Sequence, residues 1–222
     1  CNALEWQVSN GGGSIVSPEG EIQVNNDATA AAFERAAGWV DTISPPGVTS
    51  YQEEDARGIW HAGNAAFMRN WPYAYAASLE SEVVAENFDV APLPSGDAGT
   101  GAATLGGWHI GVSRYSENPE AAAAFAIYMT SVENQKHYAL DTTSPPASLE
   151  LYSDPDIQAA MPFSSPEVVA VTTARPSTVT AEKYNEVSTL YFNAVHSIIT
   201  GESDAMTALE LLELDMQDLL AE

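Results

Sequence analysis

Basic side chains are nearly missing from this chain. Of its 222 residues, 7 are Lys or Arg against 31 Asp or Glu, and the formal charge at pH 7 is −24. The only lysines are Lys136 and Lys183. Such a surface repels nucleic acid and anionic lipid, so no nucleic-acid partner is expected. Cysteine occurs once, at Cys1. No disulfide can form within these residues, which says little about compartment. Long apolar runs are missing too. The longest, Ala121 to Met129, falls well short of the roughly 20 residues of a membrane span. No signal segment or initiator Met is visible. Cys1 would suit a lipid-modified amino terminus, but Asn2-Ala3-Leu4-Glu5-Trp6 reads as mid-helix, not as a flexible tether.

Catalytic and metal patterns are equally scarce. His61, His109, His137 and His196 show no metal-ligand spacing. Asn10 to Gly13 is glycine-rich, but no Gly-Lys-Ser/Thr follows to cradle phosphate. No Gly-x-Ser-x-Gly elbow occurs. Glu53-Glu54-Asp55 could supply paired carboxylates for glycoside hydrolysis. Three adjacent acids at a helix start read more simply as a solvated, dipole-favoured first turn. With no nucleophile or base, binding is expected over catalysis, with no cofactor and no metal.

What is present is a foldable chain. Hydrophobic residues make up 45%, enough for a core in one large domain or two small ones. The acids run from Glu5 to Glu222 without forming a block. Their mutual repulsion is costly in dilute buffer and screened at molar salt, where the Debye length is about 3 Å. The composition therefore reads as a halophile's, the alternative being an ordinary acidic protein.

Local patterns alternate helices with short apolar runs. Leu4–Val8 reads as a helix end stopped by Gly11-Gly12-Gly13, and Ile15–Val24 as a hairpin turning at Pro18-Glu19-Gly20. Asn26 or Asp27 caps a helix with stripe Phe33, Ala36, Ala37 and Val40, broken by Pro45-Pro46-Gly47. Ser50 and Glu53 suit a capping box for a helix ending at Gly63. Ala65–Met68, Phe88–Ala91 and His109–Val112 read as strands, and Val168–Val171 as a further apolar run. Asn118 and Ser131 begin helices. Two longer helices close the chain, one burying Val187, Leu190, Tyr191, Ala194, Val195 and Ile198, the other Leu209, Leu212, Met216 and Leu219. Strands alternating with helices predict an α/β fold.

Aromatics cluster where the predicted strands end. Asn70-Trp71-Pro72-Tyr73-Ala74-Tyr75 follows one, and Gly106-Gly107-Trp108 opens another. Trp and Tyr offer a flat apolar face with a polar edge, which matches a pyranose ring and its rim of hydroxyls. The plainer alternative is that they are core residues. Arg175 follows the Val168–Val171 run and can donate two parallel hydrogen bonds to vicinal hydroxyls; its plainer alternative is a surface salt bridge. Gly106 and Gly107 let a ligand approach the backbone. In open α/β folds ligands sit at strand ends, so Trp71, Trp108 and Arg175 are expected to share one groove.

These segments also carry a resemblance. "WHAGNAAFMRNWPYAYA" and "GGWHIGVSRYSENPEAAAAFAIYMTSVENQ", with "ARP…Y…VS" further on, resemble family 1 extracellular solute-binding proteins of sugar ABC transporters, in their trehalose/maltose-binding branch. The resemblance spans nearly the whole chain. It implies the type II periplasmic-binding-protein fold, two α/β lobes with sugar between them. It also implies that this chain is the C-terminal part: residues 1–92 and 139–222 in the C-terminal lobe, and 93–138 as a segment of the N-terminal lobe. The ligand residues it implies are Trp71 and Tyr73, Gly106, Gly107 and Trp108, and Arg175. It further implies a small carbohydrate ligand, permease subunits as partners, and a location on the extracellular face of the membrane, lipid-anchored through an N-terminal segment outside this sequence. The rival readings are a carbohydrate-active enzyme and an interaction module without a ligand.

Overall fold

The computed structural model describes residues 1–96, 100–165 and 171–221. They form two compact units. One comprises Cys1–Tyr51, Pro92–Leu105 and Val171–Glu222; the other comprises Gln52–Ala91 and Gly106–Ala170.

The first unit holds helices α1 (Asn2–Ser9) and α2 (Asp27–Ala37) and strand β1 (Ala103–Thr104). Strand β2 (Thr172–Thr173) pairs with β1 in parallel, Ala103 opposite Thr172 and Thr104 opposite Thr173. The second unit carries α3 (Glu53–His61), α4 (Ala74–Leu79), α5 (Pro119–Met129), α6 (Val132–Thr142) and α7 (Pro155–Ala160). The chain then closes in the first unit with the short α8 (Ser177–Thr180) and the long α9 (Tyr184–Ile199) and α10 (Ala205–Ala221).

The core of the first unit is where the closing helices meet α1 and α2. Leu4, Val24, Phe33, Val187, Tyr191, Ile198, Leu209, Leu212 and Met216 are buried together. The apolar positions of α9 recur at helical spacing, so one face is buried and Phe192 on another stays exposed. Full burial of a side chain such as Phe33 contributes about 1.5–3 kcal/mol. Gly201, at φ +76°, turns the chain out of α9, a conformation glycine adopts without a Cβ penalty. One buried polar network crosses this core. The Tyr191 hydroxyl donates to Gln7 Oε1 at 2.8 Å, while Gln7 Nε2 donates to the carbonyls of Ser14 at 2.9 Å and Gly12 at 3.2 Å. Burial pushes the Tyr191 pKa far upward, so the hydroxyl stays a donor.

The second unit has a smaller core of Ala139, Ile157 and Met161, with Leu140 and Phe163 packed against it. Asp154 caps α7 by accepting from the backbone N–H of Asp156 and Ile157. Lys136 on α6 bridges Asp154 at 2.8 Å and Asp156 at 2.7 Å.

Several sequence expectations are realised. Asn26 caps α2 by accepting from the Thr29 N–H, Ser131 caps α6 from the Asn134 N–H, and Val16 and Ile22 form the antiparallel bridge of the Ile15–Val24 turn. Others need correction. Helix α2 ends at Ala37, before the prolines, and Val40 lies past its end in a bridge with Ser44. The cap of α3 is Gln52, whose N–H donates to Asp55, because Ser50 is already used in the 3-10 turn Val48–Ser50. Ala65–Met68, Phe88–Ala91 and His109–Val112 are not strands. A strand needs a neighbour for its backbone groups, and among the described residues only β1 and β2 form a paired sheet. These runs are not packed as interior strands either, since Phe67 is 93% exposed. Residues 168–170 of the Val168–Val171 run lie outside the described residues. Among those described, no helix is long and apolar enough to cross a membrane.

Candidate functional site

Five of the six residues expected to hold a ligand belong to the second unit: Trp71, Tyr73, Gly106, Gly107 and Trp108. Arg175 belongs to the first. Arg175 does follow a strand, β2, as expected, and is exposed. Trp71 and Trp108 do not, because the runs before and after them are unpaired.

Trp71 is the most closely held of these groups. It precedes α4 in the turn Trp71–Pro72–Tyr73, where the N–H groups of Ala74 and Tyr75 return to the carbonyls of Trp71 and Pro72 at 3.0 Å. Its indole N–H donates to Glu53 Oε1 at 2.9 Å. The Arg69 guanidinium stacks on the ring, 4.7 Å from its centroid, a cation over the negative face of an indole. Asn70 joins the same strut. Its Oδ1 accepts from the Trp71 N–H at 2.8 Å, and its Nδ2 donates to the Glu53 carbonyl at 3.2 Å. Gly106 lies against the benzo edge. A Cβ there would stand 2.8 Å from Trp71 Cζ3 and 2.9 Å from Cη2.

Tyr73 is tied to the next carboxylate. Its hydroxyl donates to Glu54 Oε1 at 2.7 Å, and Arg57, one turn along α3, pairs with Glu54 as well. Partial burial of the phenol, helped by the neighbouring Glu54, raises the Tyr73 pKa to about 12, so the proton stays on oxygen. Glu53 is held below the usual carboxylate range, first by the Trp71 N–H, then by a backbone N–H, with Arg69 adding to the effect. Glu54 is lowered by the Tyr73 hydroxyl and then by Arg57. Both carboxylates are therefore anions that accept hydrogen bonds at neutral pH.

Trp71, Tyr73 and Gly106 thus gather around the first turn of α3, while Trp108 stands 97% exposed and Gly107 meets nothing within 4 Å of where a Cβ would be. Sequence reasoning weighed Glu53 and Glu54 only as hydrolytic acids or a solvated turn, and missed both their bonds to the aromatics and the part of Arg69. The only signal was the run of consecutive acids at 53–55, whose plain explanation as a dipole-favoured turn holds for Asp55 and is incomplete for the other two. Among the described residues no group of His, Cys, Asp and Glu is arranged to hold a metal ion. A shallow groove beside α9 and α10, lined by Asn185, Glu186, Thr189, Leu190, Asp215 and Leu219, contains none of the expected ligand residues.

Residues 3–136 match the model of the family described as bacterial extracellular solute-binding protein. A probable ABC transporter-binding protein of Deinococcus radiodurans is 47% identical over 216 residues, which is 96% of this chain and 51% of that protein. A maltodextrin-binding protein, MdxE, of Bacillus subtilis is 24% identical over 205 residues, 90% of this chain and 48% of its own length. This chain therefore spans about half the length of these curated relatives. Among solved structures, maltose-bound T. maritima MalE3 is similar at TM-score 0.89 and 32% identity, over 99% of this chain and 57% of that one. The GacH receptor of Streptomyces glaucescens, solved unliganded and with acarbose, is similar in fold at TM-score 0.85 and 23% identity, over 99% and 56%.

Proposed function

Since the chain belongs to the bacterial extracellular solute-binding protein family, we propose that it works as the sugar-capturing component of an ABC transporter. It takes a mono- or disaccharide such as maltose, trehalose or glucose and delivers it to permease subunits in the membrane. The observation that carries this reading is the Trp71 ring, braced by Glu53 and Arg69 with Gly106 at its edge. A rigid indole loses little freedom when a sugar's C–H face stacks on it. The ligand set we assign is Trp71 and Tyr73, Gly106, Gly107 and Trp108, and Arg175. The names of the relatives, a maltodextrin-binding protein and a maltose-bound one, point to the same ligand class.

In this reading residues 1–92 and 139–222 form most of a C-terminal lobe, and 93–138 is a return segment of an N-terminal lobe. Helix α5 supports the second assignment. Its Phe125, Ile127 and Tyr128 are 57%, 72% and 62% exposed, an apolar surface suited to packing within a larger lobe. Sugar closes the two lobes because it binds the closed state more tightly, and the closed form docks on the permease. The protein works outside the cell, lipid-anchored through an N-terminal segment beyond this sequence, and its −24 charge suits a saline medium.

We read it as a receptor rather than a glycoside hydrolase, because the carboxylates beside the aromatics are engaged in bracing them. A hydrolase needs one carboxylic acid with a raised pKa, whereas Glu53 and Glu54, the carboxylates beside the aromatics, are both lowered. The test is tryptophan fluorescence of the full-length protein titrated with maltose, trehalose and glucose in high salt. A saturable response to one of them supports the reading. Silence toward every carbohydrate, with a response to another solute class, overturns the sugar assignment. Cleavage of an incubated oligosaccharide would favour the enzyme.

A further inference from the structure

We propose that Glu53 and Glu54 are positioning residues: the first turn of α3 uses two consecutive carboxylates to set the aromatic platform, Glu53 through the indole N–H of Trp71 and Glu54 through the phenol of Tyr73. The proposal rests on the reading of Trp71 and Tyr73 as sugar-stacking residues.

Helix geometry explains why two adjacent acids are used. Successive residues on a helix point about 100° apart, so Glu53 and Glu54 reach two different partners from one rigid base. Trp71 and Tyr73 flank Pro72 in the turn before α4 and take one carboxylate each. The two bonds, 2.9 Å and 2.7 Å, join the helix to the turn at both ends. The Asn70 amide adds a third tie, to the Glu53 carbonyl at 3.2 Å. Neither carboxylate is spent on the helix cap, because Asp55 takes the Gln52 N–H. Arg57 and Arg69 flank the pair. Arg57 engages Glu54, and Arg69 stacks on Trp71 while its charge also favours the Glu53 anion. The arrangement fixes ring orientation before any ligand arrives.

The experiment compares Glu53→Gln, which keeps an oxygen acceptor of the same shape, with Glu53→Met, which does not, each also in a Trp71→Phe background lacking the indole N–H. The full-length protein is titrated with maltose, and ligand-free near-ultraviolet circular dichroism reads the indole's fixed orientation. Glu53→Met is expected to weaken binding about tenfold and to remove the Trp71 contribution to the dichroism. Glu53→Gln restores most of both, and in the Trp71→Phe background neither substitution at 53 adds a further loss. Equal behaviour of Glu53→Met and the unmutated protein, additive losses in the Phe background, or equal losses for Gln and Met would each overturn the proposal. If the unmutated protein binds no sugar, the platform reading fails on its own. The dichroism comparison still decides whether Glu53 orients the ring.

Discussion

Gly106 and Gly107 are neighbours of identical composition, and the structure assigns them opposite sensitivities. A methyl group on Gly106 would stand 2.8 Å from Trp71 Cζ3 and 2.9 Å from Cη2, while one on Gly107 would meet nothing within 4 Å. Neither glycine is in the left-handed region, so alanine is sterically acceptable to the backbone at both. Carbon–carbon contacts settle at about 3.5–4.0 Å, so Gly106→Ala must push the indole back by roughly 0.7 Å or more. That displacement breaks the 2.9 Å bond from the indole N–H to Glu53, since hydrogen bonds weaken quickly beyond about 3.2 Å. Overpacking in a closed core costs about 1–3 kcal/mol. The Trp71 ring is only half-buried and can swing outward, so the lower end applies. If the proposed sugar reading holds, affinity for the sugar that binds should fall about fivefold in Gly106→Ala, roughly 1 kcal/mol, and the near-ultraviolet dichroism of the ligand-free protein should change. Gly107→Ala should match the unmutated protein in dichroism. Calorimetric titration together with circular dichroism reads both. Equal behaviour of the two alanine variants would refute the packing of Trp71 on Gly106.

Other consequences concern the scaffold and its titration. Tyr191→Phe leaves Gln7 Oε1 buried without its donor at 2.8 Å, and should lower unfolding free energy by about 1–3 kcal/mol in denaturant melts; an unchanged melt would contradict the buried network. Tyr73 should titrate near pH 12, so its contribution is complete below the free tyrosine value near 10 and is lost as pH rises through about 12. Phenolate absorbance of the unmutated protein against Tyr73→Phe should show one group in that window, and a group ionising at pH 10 would contradict it. Asp154→Ala removes the cap of α7 and should lower the melting temperature. Because the folded pKa of Asp154 is lowered, chiefly by Lys136, its contribution should be present above the unfolded value and vanish as acid protonates the folded carboxyl. The melting temperature should rise from about 0.1 M to about 2 M KCl as the −24 charge is screened; a salt-independent melt would count against the halophile reading.

Helices were legible because their signals are local. Asn26 and Ser131 sit one residue before their helices, and the stripes Val187–Tyr191–Val195–Ile198 and Leu209–Leu212–Met216 record burial directly. Strands were not legible because an apolar run states only a wish for burial. Ala65–Met68 and His109–Val112 meet no partner among the described residues, whereas β2 at Thr172–Thr173 is polar and was found only by its pairing with β1. Trp71 stood out by residue type and by its family pattern. Its supports did not, because Glu53 lies 18 residues away and no sequence rule links a first-turn acid to a distant indole.

The claim that a braced indole reads a saccharide is tested most directly by calorimetric titration of the full-length protein and its Trp71→Ala variant with maltose, trehalose and glucose in high salt. Saturable heat with at least one sugar, weakened about tenfold or more in the variant, is the expected result. No heat with any sugar, or the same affinity with and without the indole, would contradict it.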